Sequence, residues 1–284
     1  MAEIIDTFEH YRREFPHYLE IIETLQSIHL LREKSSSAKQ EECFSLKRAD
    51  AIQKLKNGQS LIDLQKDLLN NQEPEQYFLT LLSITEKDHP EATAELRKTI
   101  TADENAYRDL ITELFTEEIN PSQNNKQRIL NIDENADNLD LIPLLLHESL
   151  KPVFSQLTEN LKDVIANSGW SQGTCPVCAR PADLSLIREE EGKRSLFCLQ
   201  CDCEWPYKRM QCPACGEEDQ QKLSYFTLGD TDDKDTRYRV NICRQCKSHI
   251  KNIDTRKGQT EINPEIENLV TLHLDLQAVK EGFK

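Results

Sequence analysis

Eight cysteines of this 284-residue chain stand in four Cys-x-x-Cys pairs: Cys175 with Cys178, Cys198 with Cys201, Cys212 with Cys215, and Cys243 with Cys246. Two residues between thiols allow a tight knuckle in which both sulfurs face one ion. A second knuckle completes a tetrahedron, with zinc–sulfur bonds of about 2.3 Å. The chemistry implied is thiolate binding of two metal ions, each in a four-cysteine site. Four thiolates suit zinc and a single iron ion alike, so the metal is iron or zinc.

Nineteen residues separate Cys178 from Cys198, and 27 separate Cys215 from Cys243. The first gap lies within the ribbon spacing of about 15 to 20 residues and the second exceeds it. The first pair is therefore expected to join the second, and the third the fourth. The ten-residue gap from Cys201 to Cys212 leaves a meeting of the two middle pairs open. The residue after each second cysteine commonly turns left-handed, which suits Gly216 and Asp202 but costs Ala179 and Lys247 about 1 to 2 kcal/mol. The first and fourth knuckles are thus expected to be shaped differently, and one site to be less robust than the other. Cys203 is a ninth thiol in the cluster: a packed spare, or an alternative ligand or redox group beside the metal. Cys43 stands apart and reads as an inert packed thiol.

Other chemistry finds little support. A catalytic zinc keeps a position open and usually has His among its ligands, yet eight cysteines fill two sites, and His147, His249 and His273 stand in no ligand spacing. There is no glycine-rich phosphate loop and no nucleophile elbow. The chain is therefore read as no enzyme, with metals that staple a small fold. Trp205, Tyr207, Lys208 and Arg209 interleave rings and cations, as a nucleic-acid platform does. The formal net charge of −15 argues against that partner. These residues are instead expected to pack under a knuckle or to meet a protein partner, with Trp205, Tyr207 and Arg209 the exposed candidates for contact.

The elements that must hold these residues change type along the chain. From Ala2 to about Asn167 apolar residues recur at three- and four-residue steps, as in Phe154, Leu157, Leu161 and Ile165, so this part is expected to be helical throughout. Pro16, Gly58, Pro74, Pro90 and the polar run Ser122 to Asn138 divide it into six to eight helices. Near Trp170 the periodicity stops, Cys, Gly and Pro appear, and Arg194 to Leu199 and Arg237 to Ile242 read as strands. Asn263 and Pro264 then cap a C-terminal helix with Ile266, Leu269, Val270, Leu274 and Val279 on its docking side. The expected class is α+β: an α-helical domain over 1–167, a rubredoxin-like or zinc-ribbon module over 168–260, and a helix over 261–284 docking back. Charge divides unevenly: residues 1–170 hold 18 basic and 31 acidic side chains, and residues 171–260 hold 15 and 14.

The first 20 residues lack the cationic and apolar regions of a secretory signal. No uncharged apolar run approaches the roughly 20 residues that cross a bilayer. A cytoplasmic location and no membrane partner are the expectation, and a reducing compartment favours metal-bound thiols over disulfides.

Cys175-Pro-Val-Cys178, Phe197-Cys198-Leu-Gln-Cys201, Glu204-Trp205 with Arg209, Cys212-Pro-Ala-Cys215-Gly216, Leu223-Ser224-Tyr225, Lys251 after the last knuckle, Leu274-Asp275 and Glu281-Gly282-Phe283 together resemble the formate dehydrogenase accessory protein FdhE family. The likeness covers roughly Trp170 to Phe283. Glycine is common in the family where Ala179 and Lys247 stand here, and an aromatic where His249 stands. The resemblance implies a cytoplasmic maturation factor, not itself a dehydrogenase, whose rubredoxin-like sites can hold iron. It also implies a partner, the molybdenum-containing catalytic subunit of formate dehydrogenase, met before twin-arginine export. A zinc-ribbon nucleic-acid-binding adaptor and a rubredoxin-like electron carrier are the alternatives.

Overall fold

The structure is a computed structural model that describes residues 2–36, 46–62, 72–84, 86, 90–119, 141–188, 191–227, 237–257 and 262–284. Cys43 and the run Ser122 to Asn138 lie outside the described residues. The chain forms two compact units, one of Met1–Glu23, Leu46–Leu61 and Thr158–Lys284, the other of Thr24–Ser45 and Ile62–Leu157. Seven α-helices precede Trp170 among the described residues: α1 (Ala2–Glu14), α2 (Leu19–Ser36), α3 (Arg48–Lys56), α4 (Gln72–Leu81), α5 (Pro90–Ala102), α6 (Ala106–Ile119) and α7 (Leu141–Ala166). Pro90 opens α5 at the position where its missing N–H costs nothing. Among the described residues no helix is long and apolar enough to cross a membrane.

The second unit buries Phe78, Leu81, Leu82, Ile100, Ile111 and Leu150. Its buried acid, Glu148, takes two hydrogen bonds of 2.6 Å from the Arg32 guanidinium and one of 3.1 Å from the Tyr77 hydroxyl. A carboxylate so deep in an apolar core is stable only when paired in this way.

The first unit carries the cysteines. Six strands, β1 (Leu184–Arg188), β2 (Lys193–Cys198), β3 (Cys203–Pro206), β4 (Leu223–Phe226), β5 (Tyr238–Cys243) and β6 (His249–Asp254), form one sheet in the order β3-β2-β1-β6-β5-β4. Every neighbouring pair is antiparallel except β1 with β6, which is parallel. Strand residues alternate between faces, and the register divides them cleanly. One face holds Leu184, Leu186, Phe197 and Ile253, with Val240 against Leu274 and Ala278. The other brings Arg239, Asn252 and Ser185 into one cross-strand row.

The C-terminal segment is two helices, α8 (Pro264–Val270) and α9 (Leu272–Lys280), where one was expected. Asn263 caps α8 through its side chain, which accepts from the amides of Glu265 and Ile266. At Thr271 the hydroxyl donates to the Glu267 carbonyl at 2.6 Å and the helix breaks. The break rotates the apolar side onto Ile266, Val270, Leu274 and Ala278, and it leaves Val279 61% exposed rather than docked. At the other end of the chain α1 is tied to this segment: the buried Tyr11 hydroxyl donates to Glu267 at 2.7 Å, and Arg237 pairs with the same carboxylate.

Candidate metal centres

Each knuckle is a short loop closed by backbone hydrogen bonds. In the first, the Cys175 amide donates to the Arg180 carbonyl at 2.8 Å and the Ala179 amide to the Cys175 carbonyl at 2.9 Å. The third and fourth repeat both bonds at the same spacing, Cys212 with Glu217 and Gly216, Cys243 with Ser248 and Lys247. In the second, Cys198 pairs with Cys203 across the β2–β3 ladder, again five residues apart. The residue after the second cysteine is left-handed in all four, with φ of 64° at Ala179, 49° at Asp202, 76° at Gly216 and 61° at Lys247. The expectation of two differently shaped knuckles is therefore corrected. The closing bonds impose one geometry, and Ala179 and Lys247 adopt it at a cost of about 1 to 2 kcal/mol each.

The knuckles meet as two groups, Cys175, Cys178, Cys198 and Cys201 in one and Cys212, Cys215, Cys243 and Cys246 in the other, with the sulfurs of each group all within 4.8 Å of one another. First joins second and third joins fourth; the middle pairs do not meet. Cys178 lies 3.7 Å from Cys198, Cys212 lies 3.7 Å from Cys246 and Cys215 lies 3.7 Å from Cys243, sulfur to sulfur. A tetrahedron with bonds of about 2.3 Å has edges of about 3.8 Å, whereas a disulfide needs about 2.05 Å. The donor sets fit a four-coordinate ion and do not fit a bridge.

Electrostatics point the same way. Burial raises the Cys175 thiol, but hydrogen bonds from Cys198, Cys201 and Cys203 outweigh it and hold it down at about 7. Burial pushes Cys178 and Cys201 up. Burial also works against ionisation of Cys246, yet the Ser248 hydrogen bonds bring it to about 7. Four thiols this close cannot all ionise without a cation among them, so binding an ion would expel protons and stabilise the fold.

The two centres differ in exposure. All four sulfur residues of the first are buried, while Cys215 of the second is exposed and Cys246 partly so. They also share a hydrogen-bond donor that the cysteine spacing does not announce. Five residues after the third cysteine of each site stands Cys203 in one and Ser248 in the other. The Cys203 thiol hydrogen-bonds to Cys175, which raises its own pKa. The Ser248 hydroxyl lies 3.4 Å from the sulfur of Cys212, the counterpart of Cys175, and 3.0 Å from that of Cys246. The ninth thiol thus has the place of a hydroxyl that supports the metal ligands, and it is buried.

Of the three residues expected to be exposed for a partner, only Arg209 is. Trp205 is wholly buried, its indole N–H donating to the Gln172 carbonyl at 3.0 Å. Tyr207 is buried too, its hydroxyl donating to the Cys212 carbonyl at 3.2 Å under the Arg194 guanidinium. Strand alternation carries the explanation: Cys203 and Trp205 face inward, Glu204 and Pro206 outward. Both rings pack beneath the knuckles.

The match to known proteins agrees with this geometry. Residues 210–284 match the family model described as FdhE, C-terminal domain. A protein FdhE homolog of Aquifex aeolicus is 31% identical over 153 residues, 53% of this chain and 52% of the relative. That of Pseudomonas aeruginosa is 27% identical over 154 residues, 51% and 48% of the two chains. The matches span about half the length of these curated relatives. The crystal structure of the FdhE protein from Pseudomonas aeruginosa superposes with a TM-score of 0.73 at 19% identity, covering 100% of this chain and 92% of that one, and so shares its fold.

Proposed function

We propose that this chain is a member of the FdhE family and an accessory and maturation factor that formate dehydrogenase requires for activity. It binds the molybdenum-containing catalytic subunit in the cytoplasm and is not itself a dehydrogenase. The observation that carries this reading is the pair of complete four-thiolate centres. Every donor comes from the chain, so no coordination position is left for a substrate, and an ion placed there supplies folding energy and a fixed frame. Each centre takes one iron or zinc ion. Bound iron would add one-electron redox chemistry, and zinc would add none.

Deleting the gene and restoring it as wild type or as Cys215→Ser with Cys246→Ser tests the proposal. Formate dehydrogenase activity should vanish on deletion, return with the wild type, and return weakly with the double variant. The catalytic subunit should be recovered bound to the wild-type chain. Unchanged activity in the deletion strain sinks the reading.

A rubredoxin-like electron carrier is the second reading, favoured by the exposure of Cys215, which opens the second centre to a partner. Anaerobically purified protein would then be coloured and would cycle reversibly with a reductase. The nucleic-acid adaptor loses its stacking platform, since Trp205 and Tyr207 are buried.

A further inference from the structure

On the sheet face opposite α9 lies a cavity of about 430 Å³ that belongs to neither four-thiolate centre, although Cys212 and Cys243 reach its wall. It is lined by three guanidinium groups, Arg194, Arg209 and Arg239, together with Tyr225, Asn241 and Asn252. No Asp or Glu is among its described lining residues.

The polar groups here are not merely numerous; two of the guanidiniums have a donor without a partner among the described residues. Arg194 is 6% exposed, yet its Nη2 has no hydrogen-bond partner among the described residues, and neither has Arg239 Nε. A buried donor without a partner destabilises the fold, and more so when it is charged. Two such guanidinium donors in one cavity mark a site built for something else to satisfy them.

The surrounding bonds hold the donors in place. Arg194 donates through Nε to Ser185 at 2.8 Å and through Nη1 to the Gln211 carbonyl at 2.7 Å, which fixes the plane of its fork. Arg239 stacks on the Tyr225 ring at 5.1 Å and reaches Asp254 only at 3.5 Å. A guanidinium fork of this kind matches the planar oxygens of a carboxylate or the face of a phosphate.

We infer that this cavity binds a small organic polyanion, a molecule carrying two or more carboxylate or phosphate groups. Its volume lies within the range of about 300 to 1,000 Å³ usual for small-molecule sites and exceeds the needs of a single inorganic oxyanion. Ile187, Leu223 and Ile250 supply apolar wall for the carbon skeleton. The adjoining second centre, loaded with a divalent ion on four thiolates, would carry a formal charge of −2. Three guanidiniums outweigh it. The inference is independent of the client that the protein serves.

Isothermal titration calorimetry on the metal-loaded full chain at low ionic strength tests it, with tricarballylate as the carboxylate probe and 2,3-bisphosphoglycerate as the phosphate probe. Saturable one-to-one binding of at least one probe is expected, and which one binds distinguishes carboxylate from phosphate. Arg239→Gln and the exposed Arg209→Gln should each weaken it about tenfold or more. Unchanged metal content shows that the variants are folded. Lys208→Gln is the control, because Lys208 is exposed, pairs with Glu218 and does not line the cavity; it should leave binding unchanged. No saturable binding of either probe, wild-type affinity in both arginine variants, or an equal loss in Lys208→Gln overturns the inference.

Discussion

Replacing Gly173 by Ala tests how tightly the two metal centres are built against each other. Gly173 lies two residues before the first knuckle, and its backbone runs against the third. A Cβ placed there would overlap the Pro213 carbonyl, lying 2.5 Å from its carbon and 2.7 Å from the Pro213 Cα. Ordinary contact needs about 3.5 Å or more between carbons, so one backbone must retreat by about 1 Å. Pro213 sits between the ligands Cys212 and Cys215, where metal–sulfur distances tolerate only about 0.2 Å. Overpacking against side chains costs about 1 to 3 kcal/mol, and a backbone wall that cannot rotate away belongs at the upper end. If about 3 kcal/mol falls on the second centre, its metal affinity drops by about 150-fold. Metal analysis after dialysis against a competing chelator should find one equivalent left in Gly173→Ala and two in the wild type. Gly169→Ala supplies the control. Its φ is also positive, at 71°, but nothing lies within 4 Å of the added Cβ, so it should lose about 1 kcal/mol of stability and keep both ions. Retention of both ions by Gly173→Ala, at wild-type release rates, would refute the reasoning.

Chelator should empty the wild-type centres in two steps of one equivalent each. The second centre should go first by about tenfold or more, because Cys215 is exposed while the first centre opens only by local unfolding; a fast step that survives in Cys215→Ser would contradict this. Ala179→Gly should stabilise the loaded protein by up to about 1 kcal/mol in denaturant melts, since it relieves a left-handed alanine with an exposed side chain. Ser248→Ala should weaken the second centre about 10- to 100-fold and Cys203→Ala the first, whereas Cys203→Ser should keep its ion because the hydroxyl can donate in place of the thiol. Asp254 is fully buried and its carboxyl is held below 3.8, chiefly by Arg256 hydrogen bonds of 2.8 and 2.7 Å, with burial opposing. A depressed carboxylate stabilises the fold above its unfolded value and loses that contribution as pH falls through the native one. Asp254→Asn should therefore cost about 2 to 3 kcal/mol at neutral pH and flatten the acid limb of the stability curve below pH 3.8.

The eight cysteines and their grouping were legible because Cys-x-x-Cys confines two sulfurs to one loop, whatever surrounds it. The change from helix to sheet near Trp170 was legible too, since apolar periodicity follows secondary structure directly. Ala179 and Lys247 were misread for a physical reason: two closing hydrogen bonds per knuckle override a local preference of about 1 to 2 kcal/mol. Of the two readings of Trp205 and Tyr207, packing under a knuckle held and exposure to a partner failed, because aromatic and basic residues side by side suggest a surface while β3 turns Trp205 inward. The row of Arg239, Asn252 and Ser185 is written nowhere locally. It exists only through the pairing of β1 with β6, whose partners stand far apart in sequence.

That pairing also discloses a repeat larger than Cys-x-x-Cys. Each half of the sheet runs knuckle, two strands, knuckle, strand: β1, β2 and β3 serve the first centre, and β4, β5 and β6 the second. The unequal gaps of 19 and 27 residues hide the likeness in sequence. The equivalence of Cys203 with Ser248 reveals it in space. A two-fold arrangement of the halves would pair like edges, β1 with β4 or β3 with β6. Here the first strand of one half joins the last strand of the other, which is a head-to-tail junction and can in principle continue. Among the described residues the two free edges, β3 and β4, are the shortest strands of the sheet at four residues each, and β3 ends on Pro206, which has no amide to donate. Short edges and an edge proline are the usual means of stopping strand addition, and they confine the sheet to the two halves that hold its metal centres.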